Sequence, residues 1–427
     1  MTDTIFALAS GAGRAGVAVV RLSGPRAGVA LAALAGALPP PRTAMLRSIS
    51  HAGVEIDRAL LLWFPAPASF TGEDVAEIHL HGGRAVREAL FAALASLGLH
   101  PAEPGAFSRR AVENGKLDLT RAEAIADLVD AETEAQRRQA LRQHDGALSD
   151  LYEGWRARLI MAVGRAEAAI DFSDDGVGEA EFDAARRTAI HLTEEIRAHL
   201  DDAGRGEALR DGVRLAIIGP PNAGKSSLLN ALAKRDVAIV SDIAGTTRDV
   251  IEVRLDLGGV LVIAADTAGL RDSGDAIEAE GVRRALARAR EAHLTLLLLD
   301  ANAADPGAAI PADLAPDFIV WNKADLKAHD GISLSLKTGE GLPALLELLQ
   351  QKVQQKFTGE APALTRARHR AALTEALAAL VHAGAAAEPE LLAEDLRLAM
   401  RAVGRITGRV DVEEVLDFVF RDFCIGK

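Results

Sequence analysis

Residues 219–226 read GPPNAGKS, residues 266–269 read DTAG and residues 322–325 read NKAD, in that order along the chain. The first phrase suits a nucleoside triphosphate. Gly219 and Gly224 let backbone N–H groups close around phosphate oxygens at a helix N-terminus, where the dipole already favours anions. Asn222, Ala223, Gly224, Lys225, Ser226 and Ser227 line that loop. Lys225 places a point charge on the phosphates, and the Ser226 hydroxyl is a hard oxygen ligand suited to Mg2+. In the second phrase Asp266 points toward the metal, Thr267 and Ala268 shape the turn, and Gly269 offers its N–H to the γ-phosphate. In the third, Asp325 accepts from both the N1–H and the exocyclic amine of guanine, beside Asn322 and Lys323. Adenine offers neither donor and would leave that carboxylate unpaired. Ser335 joins the same set. One glycine loop alone is compatible with a chance turn; three ordered phrases point to a GTP-binding hydrolase.

Each phrase needs a strand to deliver it. Residues 213–219 (VRLAIIG), 260–265 and 318–321 are short apolar runs of strand length and β-branched content, and each ends where its phrase begins. A helix is expected to open at Lys225 and Ser226.

The wider composition bounds the rest. A chain of 427 residues predicts about three domains. Aromatics are only 4% while alanine is abundant, so the helices are expected to pack through small side chains. Cys424 is the one cysteine, which excludes an internal disulfide and suits a reducing, cytoplasmic setting. No signal peptide is expected at the start, and no apolar run approaches the roughly 18 residues that span a bilayer. The net charge of −13 argues against a globally basic surface, so any RNA contact is local or supplied by a partner.

Along the chain, residues 1–118 mix strand-like runs (16–22, 59–64, 75–80) with a helix at 84–97, an α/β pattern. From Thr120 the texture becomes helical. Residues 120–123 (TRAE) fit a capping box, and Leu151, Trp155, Leu159 and Val163 recur every four residues. Residues 173–178 interrupt the pattern, which resumes to about 209. Residues 211–357 form the nucleotide-binding segment, and 358–427 are helical again, with Pro389 at a helix start. The terminal helices make a thin core alone, so they are expected to pack with residues 119–210. The fold class is α/β and all-α multidomain: an N-terminal α/β domain, and a helical domain interrupted by a Ras-like P-loop GTPase domain. The alanine-rich stretches 31–38 and 371–387 read as helix.

The whole chain resembles the MnmE (TrmE) family of tRNA-modification GTPases. The resemblance rests on residues 3–10 (DTIFALAS), 69–74 (SFTGED), 81–83 (HGG), 104–125 (PGAFSRRAVENGKLDLTRAEAI), 242–250 (DIAGTTRDV) and the final CIGK. It implies a homodimer formed through an N-terminal domain that binds a tetrahydrofolate one-carbon donor, the 5,10-methylene or 5-formyl form. It further implies a flavoprotein partner, MnmG (GidA), which carries FAD. Together the two install an aminomethyl or carboxymethylaminomethyl group at C5 of the wobble uridine of certain tRNAs. By the same resemblance Asn222 ligates K+, together with the carbonyls of Ser241 and Ile243 and the Thr246 hydroxyl. The switch loop holding them also contains Asp242, Ala244, Gly245 and Thr247, and Thr247 joins Ser226 on Mg2+. A carbonyl-rich loop suits a weakly hydrated monovalent ion. Leu270 stands where Ras-like proteins hold a water-orienting glutamine, and leucine cannot do that work. The resemblance gives that role to Glu278, acting with Lys225. It assigns folate binding to Arg21, Glu77, Lys116 and Lys427.

Several of these residues have plainer readings. Asp275 and Glu278 also fit a D-x-x-E cap opening a helix to Arg290. Arg271 reads equally as a solvated surface cation. Without the resemblance, the folate set reads as surface charge, although a carboxylate such as Glu77 suits pterin donors and cations suit a glutamyl tail. His79 and His81 alternate on a strand, but two histidines without a third ligand do not make a metal site. Cys424 is a candidate nucleophile or a cysteine with only a packing role. Arg397, Arg401, Arg405 and Arg409 align on one helix face if the helix continues, either toward a tRNA backbone or paired with Glu394 or Glu413. Gly404 and Gly408 weaken that helix. Two other functions compete with the wobble-modification reading: a ribosome-assembly switch, which leaves residues 1–118 unexplained, and a folate-dependent one-carbon transferase regulated by GTP.

Overall fold

The structure is a computed structural model. It describes residues 3–172, 177–202, 204–239, 252–266, 289–303, 315–359, 363–410, 416–417, 419–421 and 423–426. These residues fall into two compact units: residues 1–126, 143–189 and 382–427, and residues 127–142 and 190–381.

In the first unit, β1 (Ile5–Leu8), β2 (Ala18–Ser23), β3 (Met45–His51), β4 (Val54–Phe64), β5 (Val75–Leu80) and β6 (His100–Pro101) form one sheet of order β3-β4-β5-β2-β1-β6. Helices α1 (Ala27–Ala35) and α2 (Arg84–Ser96) supply Leu31, Leu34, Leu90 and Leu94 to a core completed by Val20, Leu22, Leu61 and Ile78. Burying each such side chain contributes about 1.5–3 kcal/mol. Alternation on β5 then leaves Glu77 and His79 on the sheet's other face. Helix α3 (Ala106–Glu113) follows, and α4 (Leu119–Asp130) begins beyond it.

The start of α4 corrects the expected capping box. Asp118, not Thr120, is the cap: its Oδ1 accepts from the backbone N–H groups of Thr120 (2.9 Å) and Arg121 (3.1 Å) and from the Thr120 hydroxyl. Thr120 already lies inside the helix and is buried. A short carboxylate one residue before the helix outcompetes the hydroxyl because it can accept several donors at once.

Helix α5 (Glu134–His144) precedes two long helices, α6 (Ala147–Asp171) and α7 (Val177–Leu200), and the short α8 (Arg205–Asp211). In the second unit, β7 (Val213–Ile218), α9 (Lys225–Ala233), β8 (Glu252–Leu257), β9 (Val260–Asp266), β10 (Leu294–Asp300), β11 (Phe318–Asn322), β12 (Ile332–Ser333) and α10 (Leu342–Phe357) follow in turn. The sheet order is β12-β11-β10-β7-β9-β8, parallel throughout except for the β8–β9 pair. Both of its faces are covered. Leu215, Ile217, Leu296 and Val320 pack with Leu228 and Leu232 of α9 and Leu345 and Leu349 of α10, while Ile218, Leu297 and Leu299 fill the opposite face. That explains why β10 reads as an unbroken apolar run. Asp127 Oδ1 accepts from Arg210 Nε (2.9 Å) and Arg366 Nη2 (2.6 Å), so the residues flanking this sheet in sequence meet at one carboxylate.

After α11 (Ala367–Ala385), α12 (Pro389–Thr407) packs along α6 in the first unit. Helix α6 buries Trp155, Leu159, Ala162 and Ala166 and α12 buries Leu392, Leu396, Ala399 and Val403, with the small side chains the composition predicts. Pro389 opens α12 and Gly408, at φ +78°, closes it. Leu416, Val419, Phe420 and Phe423 form a further small core with Leu119 and Ala122.

Candidate functional site

Strand order reverses around β7, which has β10 on one side and β9 on the other. In a parallel sheet this opens a crevice at the carboxyl ends of the strands. All three sequence phrases arrive there: β7 leads to the glycine loop, β9 ends at Asp266 and β11 ends at Asn322.

The loop after β7 is held in a conformation few sequences tolerate. Gly219 has φ +149°, and a Cβ there would lie 2.1 Å from the Leu298 carbonyl oxygen. Gly224, at φ +102°, caps α9, and a Cβ there would lie 2.4 Å from Asn322 Nδ2. Asn222 also adopts a left-handed conformation, φ +61°, and is exposed. Ala223 is buried beneath it. Lys225 folds back so that Nζ donates to the carbonyls of Gly219 (2.9 Å) and Pro220 (3.0 Å) at the start of the loop. Ser226 and Ser227 are exposed on the first turn of α9.

The base-reading phrase is tied to this loop. Asn322, almost fully buried, donates from Nδ2 to the Ala223 carbonyl at 2.8 Å. Its Oδ1 accepts from the N–H groups of Lys323 (2.8 Å) and Leu336 (3.3 Å). Ser335, fully buried, donates its hydroxyl to Asp325 Oδ1 at 2.7 Å, which orients the carboxylate. Lys323 Nζ reaches Asp300 Oδ2 at 2.5 Å. The Trp321 and His329 rings stack at 3.4 Å behind this turn. The structure therefore brings Asn222, Ala223, Gly224, Lys225, Asn322, Lys323, Asp325 and Ser335 to one crevice and adds Asp300, which sequence reasoning missed. The backbone of Asp266 ends β9 beside them. Ser241, Asp242, Ile243, Ala244, Gly245, Thr246, Thr247, Thr267, Ala268, Gly269, Leu270, Arg271 and Glu278 lie outside the described residues.

On the N-terminal sheet, Arg21 and Glu77 are cross-strand partners on β2 and β5. Arg21 Nε and Nη2 donate to Glu77 Oε1 at 3.0 and 2.8 Å, and His79 Nε2 lies 3.2 Å from Glu77 Oε2. Burial pushes the Glu77 pKa up, but the Arg21 charge and the hydrogen bonds from His79 and Arg21 prevail, and the net shift is downward. The Arg21 guanidinium lies 5.6 and 5.9 Å from the ring centroids of Phe70 and Phe107. Lys116 is exposed and donates to the Pro67 carbonyl at 2.9 Å. Lys427 lies outside the described residues. Cys424 is exposed, and its carbonyl accepts from Gly105 N–H at 3.4 Å. Gly426, at φ +97°, has no room for a Cβ against the Leu8 carbonyl. Cys424 therefore lies against the start of α3, the helix that contributes Phe107, and Gly426 against the end of β1.

Two further expectations find plain partners. His79 faces Glu77 and His81 faces Asp57, and no group of three metal-ligating side chains occurs among the described residues. Arg397 pairs with Glu167 (2.8 Å) and Glu394 (3.4 Å), and Arg409, beyond the end of α12, pairs with Glu153 (3.0 Å). The expected arginine stripe is broken where Gly408 ends the helix.

A parallel sheet whose carboxyl edge clamps a guanine-reading loop onto a phosphate loop defines a G domain of the P-loop GTPase class. The family model described as the MnmE helical domain matches residues 119–424, and that described as the GTP-binding protein TrmE N-terminus matches residues 4–116. The protein is 56% identical over 441 residues to the tRNA modification GTPase MnmE of Paramagnetospirillum magneticum, covering 100% of both chains. It is 57% identical over 439 residues to that of Parvibaculum lavamentivorans, again covering 100% of each. The chain belongs to the MnmE (TrmE) family. Among solved structures, the G domain of the T. maritima FeoB iron transporter matches 34% of this chain and 99% of its own, at 25% identity and a TM-score of 0.24. Among the described residues, no helix is long and apolar enough to cross a membrane.

Proposed function

We propose that this chain is a cytoplasmic GTP hydrolase that acts with a flavoprotein partner, MnmG (GidA), on the wobble uridine (position 34) of certain tRNAs. In this reading the complex installs a carboxymethylaminomethyl or aminomethyl group at C5. GTP hydrolysis drives conformational cycling and association of the G domains across a homodimer. The observation that carries the proposal is the Asn322–Ala223 hydrogen bond, which ties the NKAD turn to the GPPNAGKS loop in a chain that matches the family's models over residues 4–116 and 119–424.

The residues divide the work. Backbone N–H groups of the loop and Lys225 hold the phosphates, and Asp325 reads the base. The exposed Ser226 hydroxyl at the start of α9 suits Mg2+, with Thr247 as its second protein ligand. That ion, when bound, neutralises charge on the β- and γ-phosphates. Asn222, held outward in its left-handed conformation, suits K+ together with Ser241, Ile243 and Thr246. Glu278 orients the attacking water. On the N-terminal sheet, Glu77 keeps acceptor capacity beside Arg21, and Phe70 and Phe107 supply apolar surface, a setting suited to the flat pterin of a tetrahydrofolate derivative. The cations Lys116 and Lys427 are assigned to its glutamyl tail, and Cys424 remains the candidate nucleophile.

Nucleoside analysis of tRNA from a strain lacking the gene tests this. Loss of the C5-modified wobble uridine is expected. Normal tRNA with immature ribosomal subunits would support an assembly switch instead.

A further inference from the structure

We propose that Asp300 is a positioning residue of the guanine site, acting through Lys323 to set how strongly the pocket prefers guanine to a base lacking the exocyclic amine. The proposal rests on residues 322–325 being the base reader. Asp300 ends β10 in register with Asn322, the last residue of β11. The two strand ends are joined again by Ala301 N–H, which donates to the Asn322 carbonyl at 3.0 Å. The Asp300 carboxylate is fixed on one side by Asn302 N–H, at 2.9 Å to Oδ1. Its other oxygen takes Lys323 Nζ at 2.5 Å.

Lys323 needs such a hold. Its φ of +68° lies in the left-handed region, which residues with a Cβ enter only at an energetic cost. Its carbonyl accepts from the N–H groups of Leu326 (2.9 Å) and Lys327 (3.3 Å), which closes the turn containing Asp325. Asp325 is thus oriented from two sides: Ser335 grips its carboxylate directly, and Asp300 anchors the turn through Lys323. The hydrogen bond from Lys323 is the main cause holding the Asp300 carboxyl below its ordinary range, so Asp300 is charged wherever the site works.

The test is the affinity of the full-length protein for fluorescent GDP and IDP, whose bases differ by the amine that Asp325 accepts from. Asp300→Asn keeps the shape and the bond to Asn302 but loses the charge. GDP affinity should fall about two- to fivefold, the size expected for a partly exposed ion pair. IDP affinity should fall less, which narrows the GDP/IDP ratio. Lys323→Met should narrow it similarly, and Asp300→Asn should add nothing in that background. An unchanged ratio, an equal loss for both nucleotides, or full additivity with Lys323→Met would overturn the proposal. The base-reader reading is checked separately by Asp325→Asn: if that change leaves guanine affinity intact, the parent reading fails, and not merely the role of Asp300.

Discussion

The side-chain amide of Asn322 donates to the Ala223 carbonyl at 2.8 Å, so the end of β11, proposed to read the base, is tied directly to the loop proposed to hold the phosphates. Both groups are buried, and neither has water as an alternative partner. Asn322→Ala leaves the carbonyl unpaired, at about 1–3 kcal/mol. Guanine nucleotide affinity should fall about ten- to a hundredfold by equilibrium binding. Affinity within twofold of wild type would mean that the clamp is incidental.

Asp325→Asn should weaken GTP and admit xanthosine triphosphate. The xanthine 2-oxo group needs a donor where guanine's amine needed an acceptor. Competition binding with the two triphosphates reads this directly, and failure of xanthosine triphosphate to compete would remove Asp325 as the reader.

Asn222 motivates a cation dependence. It is exposed in the loop at φ +61°, a left-handed conformation that asparagine enters more readily than most residues with a side chain. Hydrolysis should be clearly faster in KCl than in NaCl at equal ionic strength. Equal rates would take K+ out of the account.

The Arg21–Glu77 pair predicts an acid response. Glu77 has a folded-state pKa below its ordinary value of 4.5. Its contribution is therefore present above the unfolded pKa and is lost as pH falls through the lowered folded one. Arg21→Met removes the largest of the causes that lower the Glu77 pKa, so Glu77 should titrate at higher pH and the loss of stability it contributes on acidification should shrink. Carboxyl NMR titration together with denaturation midpoints across the acidic range checks both. An unmoved Glu77 titration would show that Arg21 does not set it.

Local signals carried most of this site in the sequence. The apolar run at 75–80 coincides with β5, and the runs at 213–219 and 318–321 match β7 and β11 within a residue, because each strand buries most of its side chains in a core. Strand β3 was not legible: only Ile49 in it is buried, so there is no alternation to see. The cap of α4 was misplaced because Thr120 and Glu123 fit a box pattern that Asp118 pre-empts two residues earlier. Asp300 was missed because its partner lies 23 residues away on another strand. Of the two readings of the arginine face, pairing with Glu394 holds for Arg397, and Arg409 leaves the face because Gly408 stops the helix. Contacts set by tertiary placement leave no periodic trace, whereas phosphate and base recognition need fixed residue types at fixed spacing.

The most direct measurement of the central claim is the fraction of wobble uridine carrying its C5 group in tRNA from a deletion strain supplied with Glu278→Gln. If Glu278 merely caps a helix, glutamine keeps a hydrogen-bonding side chain and the change is nearly silent. If it orients the attacking water, hydrolysis falls about 10²–10⁴-fold, while nucleotide binding by the phosphate and base loops persists. The account predicts modification at the level of the uncomplemented strain, with the variant present at wild-type abundance and still binding GTP. Wild-type modification in that strain would contradict it, separating wobble chemistry from the hydrolysis that this site is proposed to perform.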